Sequence, residues 1–237
     1  MTKMITTETS EDIDPILILL SGKMQSGKNT FARLARESLL DDKRIITKEY
    51  SLAKFLKDTT KEAFSIQDAY LNTLVEDLLC TAKDIFQKDL YENITTKLNK
   101  LIVKPHNYYE DKTTLSRLHL TTSADLMKKV DLDVFVNFLE GIIQSDFSKG
   151  VSNIGFITDI RYPFEIEYFR ENFDNVFVVN VRRDRELNNV SNQHYSERAL
   201  DNYEEFDYII NNDYSLEKYK LDIENVLYNI FKKTSVI

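Results

Sequence analysis

The stretch Gly22-Lys23-Met24-Gln25-Ser26-Gly27-Lys28-Asn29-Thr30 constrains this chain more than any other. Only five glycines occur in 237 residues, and two of them fall here. Upstream, Pro15 precedes Ile16, Leu17, Ile18, Leu19 and Leu20. An apolar run of that kind, closed by Ser21-Gly22, suits a strand buried on both faces, as parallel sheets require. Downstream of Lys28 the period changes, and Phe31, Leu34, Ala35 and Leu39 recur at helical spacing. The segment therefore predicts a buried strand, a tight glycine turn and a helix.

That arrangement has a chemical use. Glycines let the backbone fold so that successive N–H groups converge on phosphate oxygens. The helix beginning near Lys28 adds the positive end of its dipole. Lys28 is then placed to reach the β- and γ-phosphates of a nucleoside triphosphate. Asn29 stands where most such loops carry the Ser or Thr that ligates Mg²⁺, and Thr30 follows one residue later. Asn29, through its carbonyl oxygen or a bound water, and Thr30, through its hydroxyl, are alternative Mg²⁺ contacts that the sequence does not separate. The bland reading is a turn whose glycines serve only the backbone.

Strand and helix signals alternate along the rest of the chain. Residues 1–14 are polar, acidic and without period, and read as a tail. Arg44 to Tyr50 suits a second strand. Leu71, Leu74, Val75, Leu78 and Leu79 mark a helix, with Cys80 on its apolar face; Leu115 to Met127 and Leu132 to Ile143 are also helical in pattern. Residues 59–150 thus form a helical insertion. Asn153 to Ile157 reads as a buried strand ending in Thr158-Asp159, and Pro163 suits the first turn of a helix running to about Asn172. Val176, Phe177, Val178, Val179 and Val181 form a β-branched strand. Arg182 to Tyr195 is polar and unpatterned, a short lid over about 182–196. Phe206 to Ile210 is a last strand and Leu216 to Phe231 a last helix. Strands alternating with helices imply a parallel sheet with right-handed crossovers.

Composition narrows the functional classes. A net charge of −8 argues against a general nucleic-acid binder. One Cys excludes an internal disulfide framework, and three scattered His make a His-rich metal centre an unfavourable reading. The sequence shows no apolar run long enough to span a bilayer and no signal-peptide pattern, so a cytoplasmic location and no membrane partner are expected. A homodimer is compatible with the sequence, which does not set the oligomeric state.

Beyond the glycine loop, arginines and one aspartate are candidates. Arg182, Arg183 and Arg185 follow a buried strand, where ligands collect in open α/β sheets. A guanidinium fork suits phosphate oxygens and can neutralise charge during phosphoryl transfer. Asp159 and Arg161 lie two residues apart just past another strand, so in an extended segment both would face the same cleft. Their bland reading is a turn aspartate and an Arg161–Glu165 pair on a helix surface.

The loop Gly22 to Thr30 resembles the phosphate loop of phage-type deoxynucleoside monophosphate kinases, where Gly-Lys-Asp-Thr is usual and Asn29 here replaces the Asp. Tyr50-Ser51-Leu52-Ala53-Lys54-Phe55-Leu56-Lys57 is similar to the family's Ser-Phe-Ala-x-Pro-Leu-Lys stretch. Ile157-Thr158-Asp159-Ile160-Arg161-Tyr162-Pro163 is similar to its Thr-Asp-Val-Arg-Phe-Pro segment. His194-Tyr195-Ser196-Glu197 with Leu200-Asp201, and Phe206-Asp207-Tyr208-Ile209-Ile210-Asn211-Asn212, resemble its later motifs. Between Thr59 and Ser152 the pattern departs: Thr121 and Lys129 stand where Gln and a second Arg are usual.

The resemblance implies an α/β P-loop kinase over residues 15–237, with a five-stranded parallel sheet flanked by helices. It implies ATP and Mg²⁺ as cofactors and a nucleoside monophosphate as acceptor, with location in a host cytoplasm if the source is viral. On the same basis Lys57, Arg117, Asp159, Arg161, His194 and Glu197 would contact the acceptor, and Asp159 would hold a Mg²⁺-bound water or orient the acceptor. A phosphomevalonate-kinase-like transferase shares several of these motifs. A nucleotide-binding module without transfer activity is the third reading. No Asn-Lys-x-Asp base-reading motif occurs, which argues against a GTPase.

Overall fold

The computed structural model describes residues 13–58, 124, 127, 128, 133–184, 198–234 and 236. The chain divides into two compact units, Met1–Leu52 with Phe135–Ile237, and Ala53–Val134. In the first unit five strands form one sheet: β1 (Ile16–Ser21), β2 (Thr47–Tyr50), β3 (Ile154–Ile160), β4 (Val176–Arg182) and β5 (Tyr208–Asn211). Their spatial order is β2-β3-β1-β4-β5 and every pairing is parallel. The expected five-stranded parallel sheet is therefore present. Its helices are α1 (Lys28–Ser38), α2 (Val134–Ser148), α3 (Pro163–Asn172) and α4 (Leu216–Lys233). Of the second unit, residues 53–58 continue a helical stretch that starts at 52.

The apolar runs explain the centre of the sheet. All six residues of β1 are buried, which its position between two neighbours and two helical layers requires. Ile16, Ile18 and Leu20 join Phe156, Val179 and Val181 in one cluster with Phe31, Leu34 and Ala35 of α1 and Tyr219, Ile223 and Leu227 of α4. The alternate residues Leu17, Leu19, Ile157 and Val178 are buried as well.

Several element ends differ from the sequence pattern. β2 starts at Thr47 rather than Arg44, because Asp42 takes the backbone and guanidinium N–H groups of Arg44 in a local turn. Asn153 then bonds Ile46 N at 2.8 Å and Arg44 O at 2.7 Å, so a side chain replaces the strand ladder there. β3 runs on through Thr158 and Asp159 to Ile160, where Ser21 of β1 pairs with it across a register shift. β5 begins at Tyr208 because Asp207 turns inward and accepts from Val178 N at 2.8 Å. α2 extends to Ser148 and lies almost wholly in the first unit, although its residues fall inside the span read as an insertion. The tail to residue 12, most of 59–133 and the span 185–197 lie outside the described residues.

Candidate active site

The glycine loop leaves the carboxyl end of β1, the central strand. Gly22 has φ +138° and Gly27 has φ +109°, conformations that side chains rarely adopt. Neither position has room for a Cβ. One at Gly22 would lie 2.2 Å from the Val181 carbonyl oxygen, and one at Gly27 would lie 2.3 Å from Asn212 Nδ2. The glycines are therefore demanded by close approach as well as by φ. Gln25 also has a positive φ, +63°.

Lys28 closes the loop. Its Nζ donates to the carbonyl oxygens of Gly22 at 2.6 Å and Lys23 at 2.9 Å. The loop is further tightened by Ser26 N, which donates to Lys23 O at 3.1 Å. α1 then starts at Lys28 with Gly27 as its N-cap and no side chain capping it. A helix start without a side-chain cap, behind a ring of backbone amides, is a ready site for an anion. Asn29 is exposed and Thr30 half-buried in the first turn of this helix.

Two residues from the far end of the chain brace the loop from behind. Asn212, just past β5, donates through Nδ2 to Ser26 O at 2.8 Å. Tyr219 of α4 donates through its hydroxyl to Gly27 O at 3.2 Å. Burial pushes the Tyr219 hydroxyl well above the usual tyrosine range, and the nearby charge of Arg183 opposes that only in part. The hydroxyl therefore stays a donor. Within the loop, Ser26 Oγ is buried and has no hydrogen-bond partner among the described residues. At the loop's outer side Lys23 pairs with Asp201 at 3.3 Å, both partly exposed, so the pair contributes little by itself.

Of the candidate arginines and carboxylates, Asp159, Arg161, Arg182 and Arg183 are described, and they lie at the carboxyl ends of β3 and β4, the same end of the sheet as the loop. Arg182 is the last residue of β4, not part of a loop, and its Nε donates to Asn180 Oδ1 at 2.9 Å. Arg183 follows it and is exposed. Asp159 lies in β3, where Oδ2 accepts from Ser51 Oγ at 2.8 Å and Oδ1 from Leu52 N at 2.9 Å. Both carboxylate oxygens thus tie the end of β3 to the end of β2. Arg161 lies beyond the strand and is exposed. Glu165, the partner considered for it on a helix surface, is buried instead, and its Oε2 accepts the backbone N–H groups of Arg161 at 2.8 Å and Tyr162 at 3.1 Å. That carboxylate caps α3, with Pro163 at its first turn. Lys57 is exposed in the second unit. Arg117, Arg185, His194 and Glu197 lie outside the described residues, as do Cys80, Thr121 and Lys129.

Sequence reasoning passed over Asn180 and Tyr219. Asn180 had a legible signal, since it is the one polar residue within an otherwise apolar strand run. Tyr219 had none, because on a helix face it reads as an ordinary core aromatic.

A glycine loop of this form, leaving the central strand of an all-parallel sheet and closed by a lysine, defines a P-loop protein of the kinase type. The family model described as deoxynucleotide monophosphate kinase matches residues 67–223, about two thirds of the chain. The chain belongs to that family. Since the match begins after the loop, loop geometry and family membership rest on different residues. No curated protein matches. Among solved structures, dephospho-CoA kinase from Campylobacter jejuni matches with 14% identity and a TM-score of 0.44, covering 90% of this chain and 96% of that one. Among the described residues no helix is long and apolar enough to cross a membrane, and no group of three or more His, Cys, Asp or Glu is placed to hold a metal ion.

Proposed function

We propose that this kinase transfers the γ-phosphate of ATP to a deoxynucleoside monophosphate, giving the diphosphate. The observation that carries the reading is the Gly22–Thr30 loop, with two glycines that admit no Cβ and a lysine spanning the loop carbonyls. Family membership supports the choice of acceptor.

The loop amides and the start of α1 would bind the donor phosphates. Lys28 would exchange its two carbonyl contacts for phosphate oxygens of higher charge. An oxygen of the acceptor's phosphate forms a bond to Pγ while the bond from Pγ to the β,γ-bridging oxygen breaks, and ADP leaves. The attacking oxygen is already ionised at neutral pH, so no strong general base is needed. Catalysis then rests on alignment and on neutralising charge, the work assigned to Lys28 and to Arg182, Arg183 or Arg185. On the acceptor side, Arg161, Asp159, Lys57, Arg117, His194 and Glu197 are the proposed contacts. For Asp159 the bonds from Ser51 and Leu52 favour an orienting role over direct metal ligation.

Mg²⁺ fits this site on the same grounds as the triphosphate, namely a cradle that a Cβ would fill and a buried hydroxyl without a partner beside it. Asn29 and Thr30 in the first turn of α1 would hold it, largely through water and phosphate oxygens. When bound it would neutralise charge on the β- and γ-phosphates. The test is acceptor-dependent ADP formation across a panel of deoxynucleoside monophosphates, with phosphomevalonate as a further acceptor. Wild type should turn over at least one monophosphate, and Lys28→Ala should lose at least 10²-fold in rate. No acceptor-dependent ADP from wild type would reject the reading.

A further inference from the structure

We infer that Asn180 is a positioning residue, which holds Arg182 in one orientation at the mouth of the phosphate loop. The inference rests on the transfer reading above and adds to it a residue that does not touch the nucleotide.

Asn180 is 8% exposed, in a strand whose other inner residues are Phe177, Val178, Val179 and Val181. Burying an amide there is unfavourable unless both of its ends are bonded. Both are. Nδ2 donates to Ser21 Oγ at 2.9 Å, and Oδ1 accepts from Arg182 Nε at 2.9 Å. Ser21 is fully buried and is the residue immediately before Gly22. The sheet register places Ser21 and Asn180 side by side on adjacent strands.

This triad allows one amide orientation only. Arginine Nε can donate and cannot accept, so the amide must present its oxygen to Arg182 and its NH₂ to Ser21. Asn180 and Arg182 are two apart in a strand and share a face of the sheet. With Nε committed, the guanidinium plane is set, and its two terminal nitrogens remain as a fork suited to phosphate oxygens. Among the described residues the Arg182 side chain makes no other hydrogen bond or ion pair.

The location is the relevant one. The chain leaves β1 toward β2 on one side of the sheet and leaves β4 toward β5 on the other, so the crevice at the carboxyl ends opens between β1 and β4. Ser21 and Asn180 flank that crevice. The backbone of β4 also touches the loop itself, since the Val181 carbonyl occupies the space a Gly22 side chain would need. Asn212 N donates to Arg182 O at 2.8 Å while its side chain holds Ser26 O. The arginine is thus fixed at its main chain and at its side chain to the parts that form the phosphate loop. A preset guanidinium stabilises charge on the moving phosphoryl group without having to reorganise during the reaction.

The experiment measures kcat, KM for both substrates and ATP affinity for wild type, Asn180→Ala, Asn180→Asp, Arg182→Ala and the Asn180→Ala/Arg182→Ala double variant. Arg182→Ala should lower kcat by about 10³-fold. Asn180→Ala should lower kcat on the order of 10²-fold through misplacement of the fork, with KM and ATP affinity unchanged within about twofold. Asn180→Asp keeps the oxygen that receives Nε and should recover most of the loss. In the double variant, loss of Asn180 should add nothing to loss of Arg182. If Asn180→Ala does not fold, Asn180→Leu, which keeps the volume, carries the same expectations. The inference is overturned if the two losses multiply, if ATP affinity falls in step with kcat, or if Asp restores no more than Ala. Inactive wild type would instead reject the transfer reading, and active wild type with an indifferent Asn180 would reject only this inference.

Discussion

At the scale of single residues, the loop is held by what cannot be added to it. Gly22 combines a positive φ with a backbone oxygen 2.2 Å from where a Cβ would stand. A backbone oxygen cannot swing aside as a side chain can. Gly22→Ala should therefore lower stability by about 3 kcal/mol, the upper end of the strain range, and should remove ATP binding in a titration. Ser26 behaves in the opposite way. Its hydroxyl is buried without a partner, so its desolvation is uncompensated. Ser26→Ala should leave stability unchanged or raise it by up to about 1 kcal/mol in chemical denaturation. If the hydroxyl instead serves a bound phosphate, the same variant should weaken ATP binding while the unliganded protein is no less stable.

At the scale of elements, one polar cluster ties β2 to α2. Asp146 of α2 accepts from Lys48 Nζ at 2.6 Å and from the Tyr50 hydroxyl at 2.8 Å, and Tyr50 in turn meets Ser152 Oγ at 3.0 Å. Burial works against the charged form of Asp146, but the hydrogen bonds from Lys48 and Tyr50 and the positive charges of Lys48 and Lys149 together outweigh it and hold its carboxyl below the usual carboxylate range. Burial likewise pushes the Tyr50 hydroxyl far above the tyrosine range, so it remains a donor. Because the folded carboxyl titrates lower than the unfolded one, its stabilisation is complete above the unfolded range, near pH 4. It fades as pH falls through the lower folded value. Asp146→Asn should cost about 2 kcal/mol at pH 7 and flatten the decline of stability below about pH 4, as read from urea unfolding across pH. An unchanged acid limb would show that other carboxylates govern it.

At the scale of the whole molecule, the strand order places the phosphate loop at the centre of the sheet and gathers the ends of β3, β4 and β5 at the same edge. A ligand seated there stabilises the folded unit by mass action. ATP with Mg²⁺ at a hundredfold excess over Kd should add about 2.7 kcal/mol and raise the corresponding melting transition by roughly 5–10 °C. Lys28→Ala should lose that shift, and a shift that survives in Lys28→Ala would place nucleotide binding elsewhere.

The alternation of strands and helices, the buried centre at Ile16 to Leu20 and the loop with Lys28 were all legible in the sequence. Each depends on local rules: apolar periodicity, the freedom of glycine and the spacing of a turn. Strand ends were less legible, because Asn153 and Asp207 stop the ladders of β2 and β5 through bonds to distant backbone. The tertiary structure alone decided which strands are neighbours, and therefore that Ser21, Asn180 and Arg182 form one chain of hydrogen bonds and that Asn212 and Tyr219 brace the loop. A hydrogen bond requires a separation of about 3 Å, and residues nearly two hundred positions apart acquire one only when the sheet has closed on its particular order.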